Sequence, residues 1–118
     1  MLEHLKRILQ RLKYPHTPIT YWVETANLGI DETDNMGEQV SDWADELTIL
    51  HTADQPGYIQ VLMGDNVGSV YEVDRIDYVA DEVVSRVYSI TGLYLNVVIT
   101  NGATAQTLRR TVAIIRNS

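Results

Sequence analysis

The stretch from Asp74 to Thr100 constrains the fold more than any other part of the sequence. Apolar residues in its first part fall within about 140° of a helical wheel drawn at about 100° per residue. These residues are Ile76, Val79, Ala80, Val83, Val84, Val87 and Ile90. The pattern predicts an amphipathic helix that is capped by Asp74 and ends at Gly92. Residues 93–99 are apolar at almost every position and predict an interior strand covered on both faces.

The length and composition of the chain indicate which classes of protein it can belong to. A chain of 118 residues with 45% hydrophobic content is long enough for one domain with a genuine core. The absence of cysteine excludes disulfides, thiol catalysis and cysteine-ligated metals. No apolar run approaches the roughly 20 residues of a membrane span, and the N-terminus lacks the apolar block of a signal peptide. We therefore expect a soluble cytoplasmic protein with no membrane partner.

The charge is distributed unevenly along the chain. Residues 1–13 carry a net charge of +3, residues 14–74 contain twelve acids and no Lys or Arg, and residues 75–118 carry a net charge of +2. The whole chain has a net charge of −7. The acidic middle would repel phosphates, so the sequence argues against a nucleic-acid partner.

A basic amphipathic helix is predicted over residues 2–13. Its apolar stripe is about 120° wide and consists of Leu2, Leu5, Ile8, Leu9 and Leu12. The segment Tyr14-Pro-His-Thr-Pro18 ends this helix. The helix either packs on its own domain or is exchanged with a partner subunit, hinged at the two prolines.

The remaining elements complete an α+β prediction. Residues 19–24 alternate and predict a first strand, and residues 58–63 and 69–73 predict a hairpin around a glycine-bounded loop. Residues 33–49 predict a second helix, residues 51–57 a turn, and residues 104–117 a final helix capped by Thr104, with a strand as the alternative. The order α-β-α-β-β-α-β-α predicts a two-layer sandwich of about four mixed or antiparallel strands packed with about four helices.

The acidic side of the second predicted helix is a candidate interaction face. It carries Glu38, Asp42, Asp45 and Glu46. Like charges at a spacing of four residues are unfavourable on a helix, which suggests a solvated face, a docking surface for a basic protein, or a divalent metal held by Glu38, Asp42 and Glu46. The segment 31–37 resembles a calcium loop poorly because Met36 replaces its glycine.

Two further groups of residues are candidates for ligand binding. An aromatic-lined pocket is predicted from Tyr21, Trp22 and Tyr71, with polar groups from Asp31, His51 and Arg75. An anion site is predicted at Asn101 and Gly102, where a helix would begin, with Arg109 nearby. The three histidines lack the spacing of zinc ligands, and His51 with Asp54 is a weaker candidate for a general base.

The preferred functional hypothesis is a non-enzymatic interaction module that self-associates into a dimer or higher oligomer. It follows from the acidic middle, the basic ends and the tyrosine-rich strands. No catalytic residues, metal site or cofactor are predicted. Two alternatives stay open, namely a small-molecule-binding domain or enzyme with an aromatic pocket, and an acidic inhibitor or immunity-type protein that covers a basic surface.

Overall fold

The computed structural model describes residues 19–66 and 68–117, and these residues form nine β-strands and no α-helix. The α+β prediction is therefore wrong, because both layers of the sandwich are sheets. The strands are β1 (Ile19–Glu24), β2 (Thr33–Asn35), β3 (Gln39–Val40), β4 (Glu46–Ala53), β5 (Gly57–Gly64), β6 (Val70–Tyr78), β7 (Val84–Ser89), β8 (Tyr94–Asn101) and β9 (Arg109–Arg116).

The strands form two antiparallel sheets. Sheet A has the order β1-β9-β4-β7, and sheet B has the order β2-β8-β5-β6, with β3 also paired to β8. The short strands β2 and β3 act as one interrupted edge strand along β8. The strand pairs are nested along the chain. The innermost pair is β5–β6, and it is enclosed in turn by β4–β7, by β2/β3 with β8, and by β1–β9. This nesting is the connectivity of a jelly roll.

The core lies between the two sheets and follows from the alternation of each strand. In β4 the inward side chains Leu47 and Ile49 are fully buried. In β8 the inward side chains Leu95, Val97 and Ile99 are also fully buried. Burial of each such aliphatic side chain contributes about 1.5–3 kcal/mol. The outward residues of β8 are only half-buried, so the predicted covering of this strand on both faces is wrong.

The predicted helix between Asp74 and Gly92 is two strands joined by a turn. Strand β6 continues to Tyr78, the chain reverses near Asp81, which has a φ of 64°, and β7 begins at Val84. Residues 79–83 connect the two strands. With a connection of this length, the apolar residues of the two strands and the turn happen to be spaced as on one face of a helix. The valine content, which is unfavourable in helices and favourable in strands, agrees with the outcome.

The predicted helix over residues 33–49 and the predicted turn over 51–57 are also wrong. Gly37 has a φ of 82°, which interrupts any helix between β2 and β3. A loop over residues 41–45 then leads into β4, which continues through His51 to Ala53. The turn is therefore confined to residues 54–56.

The predicted helix over residues 104–117 is a loop followed by β9. This strand lies between β1 and β4 and bonds to both. Its inward residues are Arg109, Thr111, Ala113 and Ile115. Because polar side chains occupy two of these inward positions, the strand lacks the alternation by which a half-buried strand is recognised.

The four predicted strands are present in the structure. Strand β1 has the predicted bounds, the β5–β6 hairpin follows the predicted loop, and β8 contains residues 94–99 of the predicted interior strand. The basic amphipathic helix predicted over residues 2–13 lies outside the described residues.

Candidate interaction surface

The outer face of sheet A carries an exposed apolar surface, and the strand register places its residues in rows across the four strands. One row holds Val23, Val112, Leu50 and Ser85, and the next holds Tyr21, Ile114, Thr48 and Val87. We use "outer face of sheet A" for the apolar members of these rows together with Ile19 at the edge and Val83 before β7. Cross-strand neighbours of this kind form one continuous surface.

Most of this surface is open to water. Tyr21 and Val87 are each 62% exposed, and Val83 is 75% exposed. Val112 is only 8% exposed but does not belong to the core cluster, because its paired neighbours Val23 and Leu50 cover it from the outside. A contiguous exposed apolar surface on a folded domain is typical of an interaction site.

A shallow depression marks one end of this face. It has a volume of about 320 Å³ and is lined by Leu50, His51, Thr52, Val83, Arg110 and Val112. Its walls are mostly apolar, with Arg110 as the charged residue at its margin. The depression suits an apolar side chain of a partner better than a polar ligand.

Strand β1 forms the free edge of sheet A beside this face. It is a run of branched and aromatic residues, and its exposed side chains are Ile19, Tyr21 and Val23. This edge strand contains no proline, and its one charged residue, Glu24, lies at its end, so most of its length is open to pairing with another chain.

The outer face of sheet B is more polar. Its central positions include Gln60, Asn96 and Thr100, and Arg75 stacks over the ring of Tyr58 with its guanidinium carbon 3.8 Å from the ring centre. Arg75 Nε also lies 3.3 Å from a carboxylate oxygen of Asp77. The outer face of sheet B therefore mixes these polar groups with apolar residues such as Leu62 and Val98, whereas the two central rows of sheet A are mostly apolar.

The predicted interaction face lies at one end of the sandwich, in loops and at the start of β4, rather than on a helix. We call this region the acidic end and define it by Glu38, Asp42, Asp45, Glu46 and Asp65. Its elements are joined by hydrogen bonds, since the Asp45 amide donates to the carbonyl of Arg116 at 3.1 Å and the Gly68 amide donates to Glu38 at 2.9 Å.

The charged groups of the acidic end are partly engaged. Arg116 Nε donates to Glu46 Oε1 at 3.1 Å, and Asp42 and Asp45 also have interaction partners. Across residues 19–66 and 68–117, no three His, Asp or Glu side chains lie close enough together to hold a metal ion. The same ranges contain no helix with the length and hydropathy needed to cross a membrane.

The opposite end of the sandwich contains a buried polar cluster around Arg109. The Arg109 side chain is fully buried; its Nε donates to Thr111 Oγ1 at 2.9 Å, and its Nη1 donates to the Ala26 carbonyl at 2.9 Å and to Asp34 Oδ2 at 3.0 Å. Among the described residues, Arg109 Nη2 has no hydrogen-bond partner. This guanidinium holds the loop after β1 and strand β2 to sheet A.

His51 packs against the same cluster. Its Nδ1 lies 2.8 Å from Thr111 Oγ1, and its ring contacts the edge of Tyr78 with the two centroids 4.2 Å apart. Burial, followed by the positive charge of Arg109, lowers the pKa of His51 from 6.5 to about 4. The imidazole is therefore neutral at pH 7, with its Nε2 unpaired among the described residues.

The residues of the predicted anion site lie at this end; the donors of Asn101 and Gly102 are already used, whereas Arg109 Nη2 is unpaired but buried. The Asn101 side-chain amide donates to the carbonyls of Leu28, Gly29 and Thr104, and the Gly102 amide donates to Pro56. The helix start on which this prediction rested does not exist, because residues 103–108 form a loop. Anion binding stays a prediction; among the described residues of this site, the donor without a hydrogen-bond partner is the buried Arg109 Nη2.

The residues of the predicted aromatic pocket are separated by the fold. Tyr21 faces outward on sheet A, Trp22 faces the core, and His51 is buried at the end opposite the acidic end. Tyr71 and Arg75 lie on β6, at the edge of sheet B. Asp31 lies in the loop before β2. Ligand binding by this set also stays a prediction.

The weaker candidate for a general base, His51 with Asp54, is also not brought together. Asp54 accepts hydrogen bonds from the hydroxyl and amide of Thr107 rather than from His51.

Sequence reasoning missed most residues of the outer face of sheet A. The sequence places Val83, Val87 and Val112 on the apolar faces of predicted helices, gives Leu50 and Ile114 no surface role, and predicts Tyr21 as part of the aromatic pocket. The available signal was the strand-forming composition of residues 83–88 and 109–116. Read as strands, these segments place apolar residues on both faces of sheet A.

The fold is shared with proteins of known structure. Neither a protein-family model nor a curated protein sequence matches this chain. Among solved structures, the PBSX exported protein XepA superposes with a TM-score of 0.75 at 13% identity, over 84% of this chain and 37% of XepA. The SPBc2 prophage-derived protein YomS gives 0.52 at 13% identity, over 86% of this chain and 97% of YomS.

A third structural neighbour is an assembling protein. The Bacillus endospore appendages, which form disulfide-linked pili, give a TM-score of 0.52 at 12% identity, over 86% of this chain and 90% of theirs. At these identities the similarities establish the fold alone, and this chain spans little more than a third of XepA. The fold thus occurs in proteins that build assemblies.

Proposed function

We propose that this chain is a non-enzymatic structural module that self-associates through the outer face of sheet A. The observation that carries the proposal is the exposure of Tyr21, Val83 and Val87 on one continuous apolar surface. Covering such a surface stabilises an assembly by about 25 cal/mol for each Å² of apolar area removed from water. The other predicted roles, ligand binding and inhibition of a basic partner, stay predictions.

Two observations favour a second copy as the partner. Strand β1 offers free backbone groups at the margin of the same face, so apolar contact and strand pairing can occur together. The endospore appendages show that a related fold serves as a pilus subunit in another protein. An assembly of the present chain would be non-covalent, because the sequence contains no cysteine.

The proposal is tested with a single substitution on the face and a matched control on the other sheet. Val87→Asp introduces a charge on the outer face of sheet A, at an edge-strand valine that is 62% exposed, whereas Val40→Asp makes the same change at a 54% exposed valine on sheet B. We expect light scattering over a concentration series to show an oligomer for the wild type and Val40→Asp, and a monomer for Val87→Asp. A wild-type protein that is monomeric at every concentration would overturn the proposal.

Ionic strength separates the apolar contact from charge pairing. The described residues carry a large excess of acids, so charge pairs with the basic segment would be screened by salt. We expect partial weakening of the assembly in about 500 mM salt, with the apolar contact retained.

A further inference from the structure

We infer that the group covering the outer face of sheet A is the basic amphipathic segment 2–13 of a neighbouring copy. This inference rests on the proposed function and names the part of the partner that makes the contact. It combines the exposed face in the structure with the apolar stripe in the sequence that directly precedes β1.

The dimensions of the two surfaces agree. A twelve-residue helix is about 18 Å long. The outer face of sheet A spans four strands spaced about 4.8 Å apart, hence about 14 Å across, and its strands of up to eight residues are about 26 Å long. Such a helix can lie diagonally over the face with its leucine stripe against Tyr21, Leu50 and Val87.

The charges of the two partners are complementary. The segment carries four cations, Lys6, Arg7, Arg11 and Lys13, against one acid, Glu3. The acidic end of the sandwich borders the outer face of sheet A, since Glu46 is paired with both Ser89 and Arg116 across the sheet. The net positive charge of the segment is therefore complementary to the acidic residues that border the face, of which Glu46 lies on sheet A itself.

The path of the chain favours a neighbouring copy over the same copy. Strand β1 begins at Ile19, opposite Arg116, at the acidic end of the sandwich. In the sequence, Pro15 and Pro18 disfavour a helical conformation at Tyr14 and Thr17, so we expect residues 14–18 to form an extended linker. Docking on the face of the same copy would require a reversal within this linker.

Reciprocal exchange of the segment closes a two-fold dimer, in which each copy donates its segment and accepts that of its partner. A dimer of this kind contains two equivalent contacts. Each contact can be removed separately by a donor variant, altered in the segment, or by an acceptor variant, altered on the face.

The experiment mixes two full-length variants that are each unable to dimerise. The donor variant Leu5→Asp with Leu9→Asp disrupts the stripe, and the acceptor variant is Val87→Asp. Each is expected to be monomeric alone in native mass spectrometry. The mixture is expected to form a one-to-one heterodimer held by one contact, about 10²-fold weaker than the wild-type dimer.

Controls distinguish this inference from the proposed function. His4→Asp with Gln10→Asp adds the same charge outside the stripe and should leave the wild-type dimer intact. Urea unfolding checks that each variant folds, and Val83→Asp replaces Val87→Asp if the latter does not. A donor variant that still dimerises would overturn the segment exchange while leaving face-to-face association in place.

A donor variant that dimerises more strongly than the wild type would also overturn the inference, because it would mean that the segment covers the face of its own copy. Two monomeric variants that fail to form a heterodimer would have the same effect. A wild-type protein that is monomeric would instead overturn the proposed function itself.

Discussion

The guanidinium of Arg109 lies 3.0 Å from the carboxylate of Asp34, and this ion pair joins β9 of sheet A to β2 of sheet B. The two members are unequally buried, since the Arg109 side chain is fully buried and that of Asp34 is 28% exposed. Removal of Asp34 and removal of Arg109 should therefore change the free energy of unfolding by different amounts.

We predict that Asp34→Ala destabilises the protein more than Arg109→Met does. Removal of the carboxylate leaves a buried cation without its counter-charge, which costs about 3 kcal/mol. Removal of the cation leaves Asp34 able to bind water, and methionine fills part of the space. Urea unfolding at neutral pH measures both changes.

The exposed pair Arg116 and Glu46 provides the control for this comparison. Surface ion pairs contribute little, so Arg116→Met should change the free energy of unfolding by no more than about 1 kcal/mol. Equal costs for Asp34→Ala and Arg109→Met, or the reverse order, would contradict the prediction.

His51 makes the stability of the fold depend on pH. Its pKa is about 4 in the folded protein and 6.5 in the unfolded chain, so between these values the unfolded state binds more protons. The contribution is complete above pH 6.5 and is lost as the pH falls towards 4. A difference of about 2.5 units at about 1.4 kcal/mol per unit amounts to about 3 kcal/mol.

The variant His51→Gln should flatten this dependence. Its free energy of unfolding at pH 7 is expected to be lower than that of the wild type, because the contacts with Thr111 and Tyr78 change. The difference between the two proteins should shrink as the pH is lowered from 7 to about 4.5. Parallel pH profiles from urea unfolding would show that His51 is not the titrating group.

Tyr88 should be the last tyrosine to ionise. Its hydroxyl donates to Asp74 Oδ2 at 2.6 Å and joins the β7 edge of sheet A to the β6 edge of sheet B. Burial, followed by this hydrogen bond to a carboxylate, raises the pKa of Tyr88 well above 10. The folded state therefore keeps a proton that the unfolded state loses, and the stability from this group falls as the pH rises above 10.

Tyr88→Phe tests this contact in two ways. It should lower the free energy of unfolding at pH 7 by about 1 kcal/mol and remove the final step from a phenolate absorbance titration. Tyr71→Phe, which alters an exposed tyrosine on β6, should leave that final step in place. A titration of Tyr88→Phe with an unchanged final step would assign that step to another residue.

The sequence predicts strands well where alternation is local and helices poorly where a turn intervenes. Strand β1 and the β5–β6 hairpin have clear alternation and a glycine-bounded turn. The false helix near Val83 arises because a helical wheel adds residues from two strands and the turn at Asp81 between them. No single position in that segment carries a turn signal as strong as glycine or proline.

The candidate surface could be predicted only in part, because it depends on contacts between distant residues. Arg109 is buried because Asp34, 75 residues away, meets it inside the sandwich, and fully buried arginines are rare. Because a charged residue occupies an inward position of β9, the sequence of this strand does not show the usual apolar alternation. Without β9, the sequence could not predict the outer face of sheet A, which contains residues of this strand. The sequence predicts the acidic residues as a face of like charge on a helix, whereas the structure places them in loops and at the start of β4.

The pairing of β1 with β9 has a consequence for synthesis of the chain. Ile19 pairs with Arg116, so its partner is added to the chain about 97 residues later. At about 5–20 residues per second, roughly 5–20 s pass between the translation of the two strands. During this interval β1 is an unpaired apolar strand on a nascent chain, and neighbouring nascent chains on the same messenger compete with β9 for it.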